Sequence, residues 1–360
     1  MKTNNEFKIN NKLIDIDQPT YFIADIGANH DGQIERAKQL IQMCAEAGAD
    51  AVKFQHFKAE NIVSDLGFKT LDKKHLSHQS AWNKSVFDVY EEASIDISWD
   101  ETLKSICDDY HIDYLTTPYD VDMVNHIDQF VQAYKIGSGD ITWTQHIKHI
   151  ASKGKPVLLA SGAATFDDVV RAVNVIKKYH NKIAVLQCNT NYTGSDDNFD
   201  HINLNVIKTL RNMFPDLCIG LSDHTHGHAT VLGAVTLGCR IIEKHFTDDN
   251  SRTGPDHGFA MNPNSWKLMV DTTRELERAL GSGIKQIEKN EEDTVIIQRR
   301  SIRTSKKLCK GEILTEDSIL FLRPCPEDAL EPWELDNYLG QKLVKDVLPG
   351  NYIKASDFER

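Results

Sequence analysis

The feature that most constrains this chain is a regular alternation of short β-rich runs with amphipathic helical stretches. Eight runs have the composition of strands: "TYFIADIG" (20–27), "DAVKFQ" (50–55), "DYLTTP" (113–118), "AYKIGS" (133–138), "PVLLAS" (156–161), "KIAVLQCN" (182–189), "LCIGLS" (217–222) and "CRIIEKHF" (239–246). Helical patterns separate most of them, for example "RAKQLIQMCAEAGA" (36–49) and "TFDDVVRAVNVIKKYH" (165–180). Strands that alternate with helices form parallel sheets, and eight such units in about 265 residues predict a closed (β/α)8 TIM barrel.

An open, doubly wound parallel sheet is the structural competitor of the barrel. Such a sheet would place a glycine-rich GxGxxG turn after its first strand. The first strand here is followed by "DIGANHDG", which does not supply that turn. The barrel is therefore the preferred fold.

The sequence predicts a division into a barrel over residues 1–282, a charged linker over 283–298 and a small, mostly β domain over 299–360. The linker contains "SGIKQIEKNEEDTVIIQ", and the tail that follows has short strand-like runs joined by turns such as "VLPGNY". One connection inside the barrel is unusually long, at residues 56–97. Long loops in compact domains are often functional lids, and a plain surface excursion is the alternative.

Composition and charge exclude several classes of protein. The formal net charge of −12 argues against a nucleic-acid partner, because phosphate-backbone binders carry basic surfaces. No apolar stretch is long enough to span a membrane, and the opening "MKTNNEFKINNK" lacks the apolar run of a signal peptide. The seven cysteines are scattered without a CxxC pair, as in a reduced protein. We therefore expect a cytoplasmic protein.

Polar residues cluster where each predicted strand ends. In a TIM barrel the catalytic residues gather at the carboxyl ends of the strands, so this concentration predicts a polar cleft there. The strand-end residues, in chain order, are Asp25, Asn29, His30, Lys53, Gln55, Thr116, Thr117, Lys135, Ser138, Asp140, Ser161, Gln187, Asn189, Thr190, Tyr192, Ser222, Asp223, His224, Glu243, Lys244 and His245.

Two histidines stand out among these residues because they end neighbouring strands. His224 follows the seventh strand and His245 ends the eighth, and adjacent strands lie only about 5 Å apart. Two imidazoles at matched heights could bind one cation that keeps open positions for water and substrate, as a catalytic metal does. The alternative is a pair of histidines that orient other groups by hydrogen bonds.

Two lysines are unusual because each lies inside an otherwise apolar strand. Lys53 in "DAVKFQ" and Lys135 in "AYKIGS" are costly to bury without an anion. If both face one cavity, they form a receptor for a small, multiply charged anion, and the hydroxyls of Thr117 and Ser138 could donate hydrogen bonds to a phosphate. Structural ion pairs with Asp25, Asp140 or Glu243 are the alternative.

Six segments in fixed order carry a resemblance to a known family: "IADIGANHDG", "KFQ", "TTPYD", "KIGSGD", "LSDHT" and "EKHF". Together they resemble the sialic acid synthase family, whose members make nine-carbon 2-keto acids, the nonulosonic acids. The tail, from "RRSIRTSKKLCKGEIL" to "GQKLVKDVLPGNYI", is similar to the antifreeze-like (SAF) domain of that family. The resemblance covers almost the whole chain and implies a (β/α)8 barrel followed by this small domain.

The resemblance also implies an activity. Family members are transferases that condense phosphoenolpyruvate with the open-chain aldehyde of an N-acetylated aminosugar, usually N-acetylmannosamine, and release phosphate. They need a divalent cation, typically Mn²⁺, Mg²⁺ or Co²⁺. They form a homodimer in which the small domain of one chain covers the barrel of the other.

Residue by residue, the similarity assigns roles to the matching positions. The metal ligands are His224 and His245. The phosphoenolpyruvate-binding positions are Lys53, Thr117, Lys135 and Ser138. The positions around the sugar are Gln55, Tyr192 and Asp256. An arginine from the small domain reaches the partner's sugar, and it matches Arg299, or Arg300 if the register slips by one. Three carboxylates are candidates for stabilising developing positive charge or taking a proton from water: Asp25, Asp140 and Glu243.

Several positions depart from the family pattern. Asp25 and Asp140 stand where the family has Glu, so each carboxylate arm is one methylene shorter. Ala160 replaces a serine that helps hold phosphoenolpyruvate, and Ser161 could compensate. Thr190 stands at an asparagine position of the family. These changes near the sugar suggest an acceptor other than N-acetylmannosamine, such as the diacetamido-dideoxy hexoses used for legionaminic or pseudaminic acid.

Two alternative functions stay open at this point. A synthase with the same chemistry but a different acceptor, such as the 3-deoxy-octulosonate or deoxyheptulosonate phosphate synthases, is disfavoured because these usually lack the tail domain. A non-catalytic barrel that binds a sugar or an anion is consistent with the altered Asp25, Ala160 and Thr190. The presence of both lysines and both histidines speaks against it.

Overall fold

Eight parallel strands close into a barrel, preceded by a short hairpin. The computed structural model describes residues 6–72, 79 and 82–359, in two compact units of residues 1–281 and 282–360. The strands of the first unit are β1 (Phe7–Ile9), β2 (Lys12–Ile14), β3 (Tyr21–Asp25), β4 (Ala51–His56), β5 (Asp113–Pro118), β6 (Tyr134–Ile136), β7 (Val157–Ala160), β8 (Ile183–Cys188), β9 (Cys218–Asp223) and β10 (Ile241–His245). Strands β3 to β10 pair in chain order, and β10 pairs with β3 to close the ring. The predicted TIM barrel is confirmed.

Helices alternate with the barrel strands. They are α1 (Ile34–Glu46), α2 (Ala59–Ile62), α3 (Asp65–Thr70), α4 (Val86–Ala93), α5 (Asp100–Asp109), α6 (Val121–Ile127), α7 (Thr144–Ser152), α8 (Phe166–Lys177), α9 (Val206–Met213), α10 (Ala229–Thr236) and α11 (Pro263–Leu280). Helix α8 is an example of why these segments are helical. The hydroxyl of Thr165 accepts a hydrogen bond from the backbone N–H of Asp168 and so caps the first turn, and the apolar face of the helix is buried. None of the helices in the described ranges is both long and apolar enough to cross a membrane.

Each barrel strand has two buried faces with different neighbours. The outward face packs against the helices, with residues such as Phe22, Tyr114 and Val185 in the main apolar core. The inward face at the amino-terminal ends forms a separate apolar layer, which contains Tyr21, Ile23, Ala51, Leu115, Ala133, Leu158, Ala184, Leu186, Cys218 and Ile241. The hairpin adds Phe7, Ile9 and Ile14 to that layer and so closes this end of the barrel. The sequence did not predict the hairpin.

The long connection between β4 and α5 is only partly described. Residues 73–78, 80 and 81 of the predicted 56–97 excursion lie outside the described residues. The described part forms helices α2, α3 and α4, in which Ala59, Val63 and Val86 build a small apolar cluster with Tyr90 against it. This segment therefore has a core of its own.

The second unit has an independent core. It contains α12 (Glu292–Gln298) and the antiparallel pair β11 (Ser301–Thr304) and β12 (Ile319–Leu322). Its buried apolar residues include Ile302, Leu308, Leu343 and Phe358. The predicted linker over 283–298 belongs to this unit and includes α12. The prediction of a small, mostly β domain at the end of the chain is confirmed.

Candidate active site

The carboxyl ends of the barrel strands carry a layer of polar side chains that face inward. Successive residues of a strand point to opposite sides, so an inward residue of the apolar layer is followed two positions later by another inward residue. Ile23 is followed in this way by Asp25, Ala51 by Lys53, and Ile241 by Glu243. This register carries charged groups into the mouth of the barrel.

Lys53 and Asp25 form a buried ion pair at this mouth. The Nζ atom of Lys53 lies 2.9 Å from Oδ2 of Asp25 and donates to Oγ1 of Thr117 at 3.1 Å. Gln55 Nε2 donates to the same carboxylate oxygen at 3.1 Å. Burial opposes ionisation of Asp25, but Lys53 and His245 outweigh it and lower the pKa of Asp25 to about 2. Burial likewise opposes the charge of Lys53, but Asp25 and Glu243 raise the pKa of its ammonium group.

A second pair, Lys135 with Glu243, lies in the same layer. The Nζ atom of Lys135 is 3.3 Å from Oε1 of Glu243, and both side chains are almost fully buried. Ser222 donates its hydroxyl to the same oxygen at 3.3 Å. Among the described residues, Oε2 of Glu243 has no hydrogen-bond partner. A buried carboxylate oxygen without a partner is costly, so it is available to a ligand.

Next to Lys135, Ser138 and Gly162 form a tight polar corner. The backbone N–H of Gly162 donates to Ser138 Oγ at 3.0 Å. A Cβ on Gly162 would lie 2.5 Å from Cγ2 of Thr190 and 2.8 Å from Ser138 Oγ, so only glycine fits there. Ser161, predicted to compensate for Ala160, donates its hydroxyl to the carbonyl oxygen of Leu186 at 2.9 Å.

Asp140 differs electrostatically from the paired carboxylates. It lies in the turn that follows β6, two residues beyond Ser138. Burial raises the pKa of Asp140 to about 6, and the charge of Lys135 opposes that rise only partly. Asp140 can therefore exchange a proton near neutral pH, whereas Asp25 cannot.

His224 and His245 converge across the β9–β10 pair. Asp223 is in register with Lys244, so the residues that follow each of them lie at equal heights. The two ring centroids are 5.4 Å apart, and both side chains are buried. His224 Nδ1 donates to the carbonyl oxygen of Asn189 at 2.8 Å, which leaves the lone pair on Nε2. Burial and the neighbouring His245 lower the pKa of His224 to about 3, so this imidazole is neutral.

The donor set of this histidine pair fits a divalent ion with open coordination positions. Nδ1 of His245 is buried without a hydrogen-bond partner among the described residues. It lies 3.7 Å from Oδ2 of Asp256. No cluster of three or more His, Cys, Asp or Glu side chains suited to a metal is found within the described parts of the chain. The imidazoles of His224 and His245 are therefore the available ligands, and water and substrate would fill the remaining positions.

Asp256 and an aromatic group form the side of the mouth next to the histidines. Oδ2 of Asp256 accepts from the backbone N–H of Ala28 at 3.2 Å, and a Cβ on Gly27 would lie 2.7 Å from the same oxygen. Tyr192 meets His224 edge-on, with 4.4 Å between the ring centroids. Phe259 packs against His245 at 5.0 Å and was not predicted from the sequence.

A fully buried histidine anchors the loop that carries Asp256. His257 Nδ1 is 2.7 Å from Oγ1 of Thr247, and its Nε2 is 2.9 Å from Oδ1 of Asp31. Asp31 in turn pairs with Arg36 and Arg252, each at 3.1 Å. These contacts join the loop after β10 to the loop after β3 and hold Asp256 over Gly27. The sequence offered only the segment "PDHG" as a signal for this anchor.

The described part of the long excursion reaches the same mouth. Tyr90 of α4 packs on Phe57, with 5.4 Å between ring centroids, and Phe57 packs on Tyr119 at 5.7 Å. Burial and the charges of Asp256 and Asp140 raise the pKa of Tyr90.

The expectation that every polar strand-end residue faces the cleft needs correction, because several of these residues face the helices instead.

The outward residues are satisfied within the protein. Thr116 contacts Nδ1 of His56 at 2.6 Å, and Gln187 donates to the carbonyl oxygen of Ile202 at 3.0 Å. Asp223 and Lys244 pair with each other behind the two histidines. His30 packs edge-on against Trp99 outside the barrel, at 5.7 Å. The strand period separates them from the inward residues that lie next to them in sequence.

Arg299 lies in the second unit. Its guanidinium Nη1 is 3.0 Å from Oε1 of Glu331, and the side chain is about half exposed. Arg300 donates to the carbonyl oxygen of Phe321 at 3.1 Å. A role for either arginine in binding substrate stays a prediction.

Comparison with known proteins identifies relatives along most of the chain. Residues 40–285 match the NeuB family model, and residues 299–359 match the SAF domain model. The N,N'-diacetyllegionaminic acid synthase of Campylobacter jejuni is 33% identical over 339 residues, which cover 93% of this chain and 99% of the relative. The human N-acetylneuraminate-9-phosphate synthase is 30% identical over 332 residues, which cover 91% and 90%.

A solved structure agrees in fold. The N-acetylneuraminic acid (sialic acid) synthetase from Leptospira borgpetersenii, in complex with citrate, superposes with a TM-score of 0.70 at 27% identity. The match covers 81% of this chain and 95% of that one. The resemblance found in the sequence is confirmed, and with it the prediction of an enzyme of the synthase type. The chain belongs to the NeuB family and carries a SAF domain after its barrel.

Proposed function

We propose that this enzyme condenses phosphoenolpyruvate with the aldehyde of an N-acetylated aminosugar, giving a nonulosonic acid and phosphate. One observation carries the proposal: the buried lysine pair, Lys53 and Lys135, and the histidine pair, His224 and His245, converge in one barrel mouth. Two lysine side chains beside two imidazoles suit a small phosphorylated acid next to a carbonyl compound. Family membership supports the same chemistry.

The lysines are proposed to hold phosphoenolpyruvate. Asp25 raises the pKa of the Lys53 ammonium group, and Glu243 pairs with Lys135, so the site is preorganised for an anion. Thr117 accepts a hydrogen bond from Lys53 and is placed to donate its own proton to a bound oxygen. Ser138 and the backbone around Gly162 would line the phosphate. This positioning presents C3 of phosphoenolpyruvate to the aldehyde carbon.

The carboxylates are proposed to have different roles. As C3 attacks the aldehyde carbon, the C=O π bond of the aldehyde breaks and its oxygen becomes an alkoxide that takes up a proton. Positive charge develops at C2, and the carboxylates of Asp25 and Glu243 stabilise it. Water then adds at C2, and the bond between C2 and the phosphate oxygen breaks. Asp140 is the base for this water, because its pKa of about 6 suits proton transfer near neutral pH better than the low pKa of Asp25.

The imidazoles of His224 and His245 would hold a divalent cation such as Mn²⁺, Mg²⁺ or Co²⁺. When bound, such an ion supplies Lewis-acid polarisation of a carbonyl oxygen. The hydrogen bond from His224 to Asn189 fixes the ring so that its free nitrogen is ready to bind. Asp256, Gln55, Thr190 and Tyr192 would contact the sugar on this side.

The proposed acceptor is a diacetamido-dideoxy hexose rather than N-acetylmannosamine. The shorter carboxylate of Asp25 and the threonine at position 190 alter the sugar side of the mouth. A relative that is 33% identical is named N,N'-diacetyllegionaminic acid synthase, which supports this choice.

We propose in addition that two chains form a domain-swapped homodimer in which Arg299 of one protomer completes the sugar site of the other. An Arg299→Ala variant should then lose acceptor use while it keeps phosphoenolpyruvate binding. Mixing it with a Lys53→Met variant should restore part of the activity, because one hybrid site has both intact residues. Absence of rescue would contradict the swap.

The test of the proposed function is phosphate release from phosphoenolpyruvate with Mn²⁺ across a panel of acceptors. The panel contains diacetamido-dideoxy hexoses, N-acetylmannosamine, arabinose 5-phosphate and erythrose 4-phosphate. Release is expected with the diacetamido-dideoxy hexoses, less with N-acetylmannosamine and none with the phosphorylated aldoses. Release only with the phosphorylated aldoses would favour the related synthases, and no release with any acceptor would favour a binding protein.

A further inference from the structure

A second cavity lies at the opposite end of the barrel from the proposed active site. It measures about 530 Å³ and is lined in part by Asp15, Lys208, Arg211, Phe214, Cys218 and Arg240. Cys218 begins β9, and Arg240 immediately precedes β10. These are the two strands that carry the histidines at their other ends. The cavity therefore belongs to the barrel unit and is separate from the mouth.

The side chains that line this cavity carry a net positive charge. Three cationic side chains line it, Lys208, Arg211 and Arg240, against the single carboxylate of Asp15 among the described lining residues. None of the three cations forms an ion pair with a carboxylate within the described ranges, whereas nearby Lys177 pairs with Asp216 at 2.6 Å. Unpaired positive charge in a concave site is unexpected in a chain with a net charge of −12.

Backbone carbonyl groups hold the two guanidinium groups in place. Arg211 Nη1 donates to the carbonyl oxygen of Leu237 at 2.9 Å. Arg240 donates to the carbonyl oxygens of Ile16 and Cys239, each at 2.7 Å. A Cβ on Gly238 would lie 2.5 Å from Arg211 Nη1, so the guanidinium lies directly on a glycine. Both charges are therefore fixed in orientation without being neutralised.

The position of these arginines at the end of α10 explains only part of the arrangement. A helix carboxyl terminus carries about half a negative charge, which favours a nearby cation. Three cations exceed that charge. A guanidinium has five N–H donors. Arg211 donates one hydrogen bond, to Leu237. Arg240 donates two, to Ile16 and Cys239, and makes a longer contact from Nη1 to the carbonyl oxygen of Val235 at 3.4 Å. Donors are left for an acceptor that enters the cavity.

We propose that this cavity binds a small organic anion, a phosphate or carboxylate that carries a ring-sized apolar part. The cationic side chains bind the anionic group, and Phe214 and Ile219 form the apolar wall. The volume lies within the range of small-molecule sites. The proposal is independent of the proposed function, because no residue of the barrel mouth takes part.

Binding can be measured with 8-anilinonaphthalene-1-sulfonate, an aromatic sulfonate whose fluorescence rises in apolar surroundings. Titrations would use the full-length protein without phosphoenolpyruvate, because this phosphorylated acid is itself an anion that could enter the cavity. Lys208→Glu is the informative variant, because its exposed side chain has no described partner and its loss leaves the fold intact. Lys178→Glu, an exposed lysine at the end of α8, is the matched control.

Charge reversal at Lys208 should weaken binding of the sulfonate about tenfold, and reversal at Lys178 should leave it unchanged. The uncharged analogue N-phenyl-1-naphthylamine should bind the wild type and Lys208→Glu equally. Condensation activity without the probe should be the same in all three proteins. Equal sulfonate binding by wild type and Lys208→Glu, or no sulfonate binding to the wild type, would overturn the proposal.

Discussion

The two ends of the same eight strands have opposite interiors. At the amino-terminal end the inward side chains are apolar, as in Ile23 and Leu158, and the hairpin covers them. Two residues further along β3 and β4, the inward positions hold the charged side chains of Asp25 and Lys53. The contrast shows that one strand can contribute to stability at one end and to chemistry at the other, because every second residue of a strand faces inward.

The energetic character of the two layers differs accordingly. Each buried aliphatic side chain at the apolar end contributes about 1.5–3 kcal/mol through removal from water. At the mouth, burying Lys53 with Asp25 costs desolvation that the ion pair only roughly offsets. Substitutions in the apolar layer should therefore act on stability, and substitutions in the charged layer should act on turnover.

The largest effect is expected for Lys53→Met at the mouth. Loss of the ammonium group removes a charge that holds phosphoenolpyruvate and leaves Asp25 buried without its partner. We expect kcat/KM for phosphoenolpyruvate to fall about a thousandfold, the scale on which removing one partner of a buried charge pair weakens binding. Phosphate release measures it, with the exposed Lys148→Met as control. A loss below about tenfold would remove Lys53 from the substrate site.

The matching substitution at the apolar end is Leu158→Ala. Removing a fully buried leucine should lower the free energy of unfolding by about 3 kcal/mol, through lost transfer energy and a cavity. Urea denaturation gives this value, and kcat per folded molecule should not change. A drop in kcat at unchanged stability would show that the two ends are not separate in function.

A smaller effect is expected at the anchor of the loop after β10. His257→Asn removes the link between Thr247 and Asp31, so Asp256 loses its fixed position. The KM for the aminosugar should rise about tenfold, the scale of one lost hydrogen-bonded contact, while the KM for phosphoenolpyruvate stays the same. His111→Asn, at an exposed histidine, is the control. Equal rises in both KM values would instead indicate a general structural defect.

The smallest effect is the change of the wild-type rate with pH, which we assign to Asp140. Since this carboxylate must be ionised to take a proton, the rate should rise as the pH increases through about 6, and Asp140→Asn should lack that limb. The pKa is raised in the folded state, so the protonated form stabilises folding at low pH and this contribution is lost as the pH rises through about 6.

The stability of the same variant gives an independent check. Asp140→Asn should be more stable than the wild type above about pH 6. The difference should shrink as the pH falls and vanish below the ordinary aspartate pKa of 3.8, because asparagine mimics the protonated acid. Denaturant titrations at several pH values would show the difference. In the rate measurements, an Asp140→Asn variant that keeps the wild-type rise in rate with pH would show that another group takes the proton.

The sequence predicted the barrel because the alternation of strands and helices persists over its whole length. It did not predict the hairpin, because strands as short as Phe7–Ile9 and Lys12–Ile14 leave no periodic pattern. Lys53 and Lys135 were found because a lysine inside an apolar run is costly unless it has a partner.

Other parts of the site depend on contacts between distant segments. His257 acquires its role only when the fold brings Asp31 and Thr247 to it. Thr116 and Thr117 are neighbours with the same side chain, and only the pleat decides that one faces His56 and the other Lys53. Residue type alone cannot make that distinction.

The most direct test of the central claim is anomalous diffraction from crystals soaked with Mn²⁺ and phosphoenolpyruvate. The account predicts one manganese peak bonded to both His224 and His245, with phosphoenolpyruvate in the same mouth in contact with Lys53 and Lys135. Manganese bound away from the histidines, or phosphoenolpyruvate bound away from the lysines, would contradict the claim that the two pairs form one site.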